Sequence, residues 1–280
     1  MKYRHSFHAG NFADIHKHVT LLALLSALKR KEKGFAYLET HSGRGVYDLS
    51  SPTEAAALGA GRFLAAQYSS AELQDFTRLI AGFRSEPGRA HAYPGSPLIA
   101  VQALRAQDRA VFCELLPTEA RTLERILHGS AQFRVEEGDG FEKLRAWLPP
   151  HERRGLIFID PPYEETRQDL DRVIAAVQDA LQRFHTGVIA VWFPVKDERE
   201  TASWVSAFNR AVQRETLASE LWLYPRDSRV ALNGSGVLIV NPPYLLADRM
   251  KEWLPELRAR LDTGHAGGTS VRTVGPPAPT

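Results

Sequence analysis

Five short apolar runs alternate along the chain with stretches of helical periodicity: residues 35–39, 110–114, 132–136, 155–159 and 187–193. Several are apolar throughout rather than alternating, the pattern of strands covered by helices on both faces. The later gaps each leave room for a crossover helix, which makes the chain a doubly wound α/β sheet. Before the first strand, residues 14–29 predict a helix in which Ile15, Val19, Leu22 and Leu25 share one face and Asp14 suits the start.

Two features break the alternation. Seventy residues, 40–109, separate the first two strands. That is far more than a crossover needs, and helical patterning over 53–68 and 71–83 predicts a small helical insertion at about 50–95. Near the other end, the runs 219–224 and 236–240 are joined by 11 residues rich in Pro, Asp, Ser, Asn and Gly. A link that short predicts antiparallel neighbours, so the last strand of the sheet is antiparallel. The expected organisation is one domain over 1–262 with the insertion, followed by a mobile Gly/Thr/Pro-rich tail over 263–280.

Composition narrows the class. With 44% hydrophobic and 24% charged residues, the 280-residue chain is an ordinary globular protein rather than a disordered or fibrous one. Its most apolar uncharged stretch, 18–28, falls short of the roughly 20 residues a membrane span needs. The opening residues Met1-Lys2-Tyr3-Arg4-His5 hold no apolar signal region. A single cysteine, Cys113, excludes a disulfide framework and a Cys-rich zinc site and fits a reducing cytoplasm. Net charge is only +2, yet residues 2–33 carry a local balance of +5 and four histidines, His5, His8, His16 and His18. Such a segment suits a local polyanion contact, although a solvated helix end reads the same way. No metal is expected from these histidines, because no cysteine accompanies them and neither spacing is a familiar site.

Ligands of open α/β sheets bind beyond the carboxyl ends of the parallel strands, so those ends carry the candidate chemistry. The first gives Glu39-Thr40-His41-Ser42-Gly43-Arg44-Gly45, a Gly-x-Gly turn without the third glycine of a dinucleotide fingerprint. The second ends in Glu114, placed for ribose hydroxyls, and the third runs into Asp139-Gly140-Phe141. Three acidic strand ends in succession favour a nucleoside over three separate helix caps. The fourth ends in Asp160-Pro161-Pro162-Tyr163. Two prolines after a buried strand stiffen the turn, aiming the Asp160 carboxylate and the Pro161 carbonyl, while Tyr163 offers a ring face. Two acceptors and a ring suit an exocyclic amine such as adenine N6, on a base that has left its stack. Asn241-Pro242-Pro243-Tyr244 has a similar pattern, but its strand is the antiparallel one and its end belongs at the opposite edge of the sheet.

At these residues the sequence resembles the amino-methyltransferases, and among them the family that methylates N6 of adenine 2030 in 23S ribosomal RNA. Residues 3–11 (Tyr-Arg-His-Ser-Phe-His-Ala-Gly-Asn), 40–43, 93–98, 139–141, 160–164 and 241–243 carry the likeness across nearly the whole chain. The resemblance implies a Rossmann-like S-adenosylmethionine-dependent methyltransferase sheet with a small inserted helical subdomain. Donor contacts would fall on Lys17, His18, His41, Ser96, Glu114, Asp139 and Gly140, with Asp160 catalytic alongside Pro161 and Tyr163. Tyr3, with Arg4 and His5 beside it, would touch the RNA. A cytoplasmic monomer working on 23S ribosomal RNA, without membrane or metal, is the expectation. A DNA adenine-N6 methyltransferase shares the same turn, and a nicotinamide-dependent oxidoreductase shares the sheet.

Overall fold

The computed structural model describes residues 9–163, 166–228, 230, 232–262, 264 and 266–276. Tyr3, Arg4, His5 and His8 therefore lie outside the described residues, as does Glu164. Helix α1 (Phe12–Lys29) precedes strand β1 (Ala36–Glu39). A small two-stranded ladder, β2 (Val46–Asp48) with β3 (Ala92–Pro94), brackets the insertion. Its helices are α2 (Glu54–Ala56), a π-helical turn (Ala57–Gly61), α3 (Arg62–Ala65) and α4 (Ala71–Arg84). After α5 (Ser96–Ala103), strands and helices alternate as β4 (Arg109–Glu114), α6 (Pro117–Leu127), β5 (Phe133–Glu137), α7 (Gly140–Trp147), β6 (Gly155–Ile159), α8 (Thr166–Arg183) and β7 (Val188–Val195). The chain continues through α9 (Glu198–Val212), β8 (Thr216–Trp222), β9 (Gly234–Val240), α10 (Leu246–Leu261) and β10 (Gly268–Thr273).

The main sheet has the order β10-β8-β9-β7-β6-β1-β4-β5. Strands β5, β4, β1, β6 and β7 are parallel, and β9 is antiparallel to both β7 and β8. The doubly wound sheet and its antiparallel late strand thus stand as the hydrophobic pattern predicts. The expected tail does not: residues 268–273 pair antiparallel with β8 as an edge strand. Its composition is polar because one side of an edge strand faces water, and buried Glu220 ties it down by accepting from Arg272 at 2.8 Å.

One core layer lies between the sheet and α1, α4, α5 and α10, and holds Tyr37, Leu156, Phe158 and Ala190. The other lies under α7, α8 and α9 and holds Leu38, Ile157, Ile159, Val191 and Phe193. Odd and even positions of each strand are thereby sorted onto opposite faces. Helix α1 is buried almost all round, since the sheet covers one side and the insertion and α10 cover the rest. Asn11, not Asp14, caps it, with Oδ1 accepting from the Asp14 N–H at 2.9 Å. The insertion holds this start in place: Ala60 N–H donates to the Gly10 carbonyl at 2.7 Å, and Gly59 sits so close that a Cβ would lie 2.3 Å from that oxygen.

Candidate active site

The chain leaves β1 toward β4 on one side and returns through β6 on the other, so the topological switch point falls between β1 and β6. Glu39 and Asp160 flank it. Alternation turns both toward the α1 face, and α1 supplies what meets them. Lys17 Nζ lies 2.5 Å from Asp160 Oδ2 and 2.8 Å from Asp14 Oδ1. Asp14 Oδ2 in turn accepts from the Gly10 N–H at 2.8 Å. Side-chain exposures of 4%, 6% and 10% for Lys17, Asp14 and Asp160 put the cluster out of bulk water. Burial alone would lower the Lys17 pKa, but the two carboxylates outweigh it and raise the ammonium above its ordinary value. Two carboxyl groups thus share one ammonium in a low-dielectric crevice.

Glu39 is fully buried, and its Oε1 accepts from Ser96 Oγ at 2.5 Å. Among the described residues its Oε2 has no hydrogen-bond partner of normal geometry, and the Tyr37 hydroxyl stands near the carboxyl. Burial pushes the Glu39 carboxyl up to about 8, more than the hydroxyls and Lys17 offset. At the end of β4, Glu114 accepts from Gly43 N–H and Leu116 N–H, each at 2.8 Å. Burial raises its pKa against those two bonds. Beside it Leu115 and Leu116 stand 61% and 46% exposed, an apolar wall at the strand end.

Beyond β5, Asp139 caps α7 by accepting from Phe141 N–H at 2.9 Å and takes Arg172 at 2.5 Å on its other oxygen. Burial would raise this carboxyl, but Arg172 and the cap hold it below its ordinary range. Gly140 passes so close to the Thr40 carbonyl that a Cβ would sit 2.0 Å from the oxygen. His41 stacks edge-on against Phe141 with centroids 4.8 Å apart, and burial lowers its pKa to about 4.

Asp160, Glu39, Glu114, His41, Asp139 and Gly140 thus gather at the carboxyl ends of the parallel strands, where the strand-end reading puts them, and Lys17 and Ser96, which only the resemblance implied, meet them from α1 and the start of α5. Four placements differ from expectation. Lys17 is spent on Asp14 and Asp160, so it is not a free cation for a donor carboxylate. His18 Nδ1 instead meets the Tyr93 hydroxyl at 2.8 Å, with its ring stacked on Tyr93 at 5.6 Å and near Phe76, inside the insertion contact. Tyr163 does not stand open as a ring face: it packs 5.7 Å, centroid to centroid, from Trp192. At φ 52° it turns onto the opposite core layer, 4% exposed, and donates its hydroxyl to the Trp192 carbonyl. The basic N-terminal segment is not one patch either: Lys17 is internal, while Arg30, Lys31 and Lys33 lie past the far end of α1.

The sequence reading missed Asp14 and Trp192 as members of the site. Two charges three residues apart inside an otherwise apolar helical stretch were the available signal for Asp14; for Trp192 none exists below the tertiary level. The second Pro-Pro turn lies where the antiparallel reading puts it, with Asn241 Nδ2 donating to the His185 and Gly187 carbonyls at the start of β7.

A family model described as "Ribosomal RNA large subunit methyltransferase D, RlmJ" matches residues 32–274. The chain belongs to this family of ribosomal RNA large subunit methyltransferases. It is 38% identical over 280 residues to the "Ribosomal RNA large subunit methyltransferase J" of Haemophilus influenzae, covering 99% of each chain. With the protein of that name from Escherichia coli it shares 38% over 273 residues, 95% of this chain and 97% of that one. A solved structure from Legionella pneumophila superposes with a TM-score of 0.86 at 36% identity, covering 97% of this chain and all of the other. Among the described residues no group of three His, Cys, Asp or Glu is gathered to hold a metal, and no helix is long and apolar enough to cross a membrane.

Proposed function

We propose that this protein transfers a methyl group from S-adenosylmethionine to the N6 amine of an adenine in 23S ribosomal RNA, the position corresponding to adenine 2030, as a cytoplasmic monomer. The observation that carries the reading is the Asp160 carboxylate, held by Lys17 at the end of β6 beside the switch point. S-adenosylmethionine, when bound, supplies an electrophilic methyl on a positively charged sulfur. The residues present fit such a donor: the Asp14–Lys17–Asp160 cluster sets two carboxyl groups around one ammonium, and the buried Glu39 carboxyl, pushed up to about 8, keeps a proton to donate. Glu114 spends one lone pair of each oxygen on backbone N–H groups and keeps others for ribose hydroxyls. Asp139, Gly140 and His41 line the neighbouring strand end for the adenine of the donor.

Asp160 then acts on the target base. An adenine N6 lone pair is delocalised into its ring, and a carboxylate accepting one N–H favours a more pyramidal, more nucleophilic nitrogen. Lys17 keeps that carboxylate fixed in direction, so little reorganisation is needed when charge develops. Most of the acceleration comes from alignment of nitrogen, methyl and sulfur, which the stiff Pro161-Pro162 turn serves. After transfer the nitrogen bears a proton too many, and the Asp160 carboxylate is within reach to receive it.

The test is methyl incorporation from labelled donor into unmodified 23S RNA, into whole subunits and into duplex DNA, with the modified nucleoside identified by mass. N6-methyladenosine in the ribosomal RNA is expected. Preference for duplex DNA, or a methyl on another nucleoside, would reject the reading.

A further inference from the structure

We propose that the half-buried indole of Trp192 is a surface on which the extruded target base stacks. This deepens the adenine reading above and rests on it. Strands β6 and β7 are parallel and pair Ile159 with Val191, so Asp160 and Trp192 are the next residues along neighbouring strands. Their parity sends both to the α1 face. Lys17 Nζ joins them, 2.5 Å from the Asp160 carboxylate and 5.4 Å from the Trp192 ring centroid. Trp192 packs against both core layers and keeps part of its surface in solvent, which is the position of a wall at the end of the sheet.

The indole is also anchored. Its Nε1–H donates to Ser235 Oγ at 2.9 Å, and that hydroxyl lies 2.9 Å from His16 Nδ1. His16 Nε2 reaches Ser219 Oγ at 2.9 Å, so a buried chain of three polar side chains from α1, β8 and β9 fixes one ring. Burial keeps His16 neutral, its pKa lowered to about 3, so this chain does not gain charge near neutrality. Tyr163 braces this ring: the two ring centroids lie 5.7 Å apart, and the Tyr163 hydroxyl donates to the Trp192 carbonyl. A flat, fixed ring beside a carboxylate acceptor meets both demands of an unstacked purine, a π surface and a partner for its amine. His16 and Ser235 are positioning residues in this arrangement.

The experiment uses an RNA hairpin carrying 2-aminopurine at the target adenine, whose emission rises on unstacking and falls when it stacks on an indole. The wild type is expected to quench the extruded base, and Trp192→Leu to leave it bright. Trp192→Leu should lose about tenfold or more in kcat/KM for the unmodified RNA, Trp192→Phe should recover most of it, and the calorimetric affinity of both for S-adenosylhomocysteine should match the wild type. Equal losses in the Leu and Phe variants, or a Leu variant as efficient as the wild type, would overturn the inference. Should the Leu variant fail to fold, Ser235→Ala frees the indole without removing it: a several-fold rise in KM for RNA supports the assignment, and an unchanged KM overturns it. An active wild type with an insensitive Trp192 sinks only the stacking surface, whereas absence of N6-methyladenosine from the wild-type product sinks the adenine reading beneath it.

Discussion

Three charged side chains decide how the site behaves at the level of single residues. Lys17 serves two carboxylates at once, so its removal and that of Asp160 are not equivalent. Lys17→Met leaves Asp14 and Asp160 buried without their shared cation, and a stability loss of about 3 kcal/mol is expected from denaturant titration. Asp160→Asn leaves the Asp14–Lys17 pair intact and should cost clearly less; equal losses would mean that the cluster does not work as a unit. Glu39 gives a prediction in pH. Its folded carboxyl titrates near 8, well above the ordinary carboxyl value of 4.5, so the folded state retains the proton that the unfolded chain releases. Its contribution to stability is complete below about 4.5 and is lost as pH rises toward 8. Glu39→Gln, which is neutral throughout, should therefore raise the melting temperature at pH 8 relative to the wild type and change it little at pH 4.5; a gain confined to acid would contradict the assignment. Asp160 was legible in the sequence because two prolines announce a stiff turn. Trp192 was not, because its partners stand far away along the chain; Asp14, whose own partners Gly10 and Lys17 are local, joins the site only because packing of α1 across β6 and β9 brings Asp160 to Lys17.

Among the elements, α1 and β10 matter most. The apolar run before the first strand is legible as a helix, but its burial on every side is not, since the covering insertion arrives some 30 residues later. Gly59 is where that insertion meets the helix start. Gly59→Ala would drive a methyl into the Gly10 carbonyl, displace the Asn11 cap and its neighbour Asp14, and lower both melting temperature and methyl transfer. A variant with unchanged activity would show that the insertion does not hold the site. Strand β10 hid behind a composition typical of tails, because six edge positions carry little apolar signal. Removing residues 263–280 strips β8 of its outer neighbour and takes Arg272 from buried Glu220. The truncated chain should melt lower and self-associate through the bared strand in sedimentation; a monomer of unchanged melting temperature would assign β10 no structural part.

For the molecule as a whole, the doubly wound sheet and the side of it that carries chemistry were legible from strand spacing alone, and the same logic separates the two Pro-Pro turns. Asp160 ends a parallel strand at the switch point, whereas Asn241 ends an antiparallel one at the opposite edge. What the pattern of residues could not carry is the direction of side chains after a strand ends, which is why the burial of Tyr163 against the Trp192 ring was not legible. The fold thereby brings a carboxylate, its buried counter-cation and an anchored indole to one edge, where an RNA base and a methyl donor are to meet. The most direct measurement is single-turnover methyl transfer to unmodified 23S RNA by the wild type and Asp160→Asn, with S-adenosylhomocysteine affinity measured in parallel. The arrangement predicts that Asp160→Asn retains the nucleoside but forms N6-methyladenosine at least about 100-fold more slowly. Transfer at the wild-type rate by the variant would contradict it.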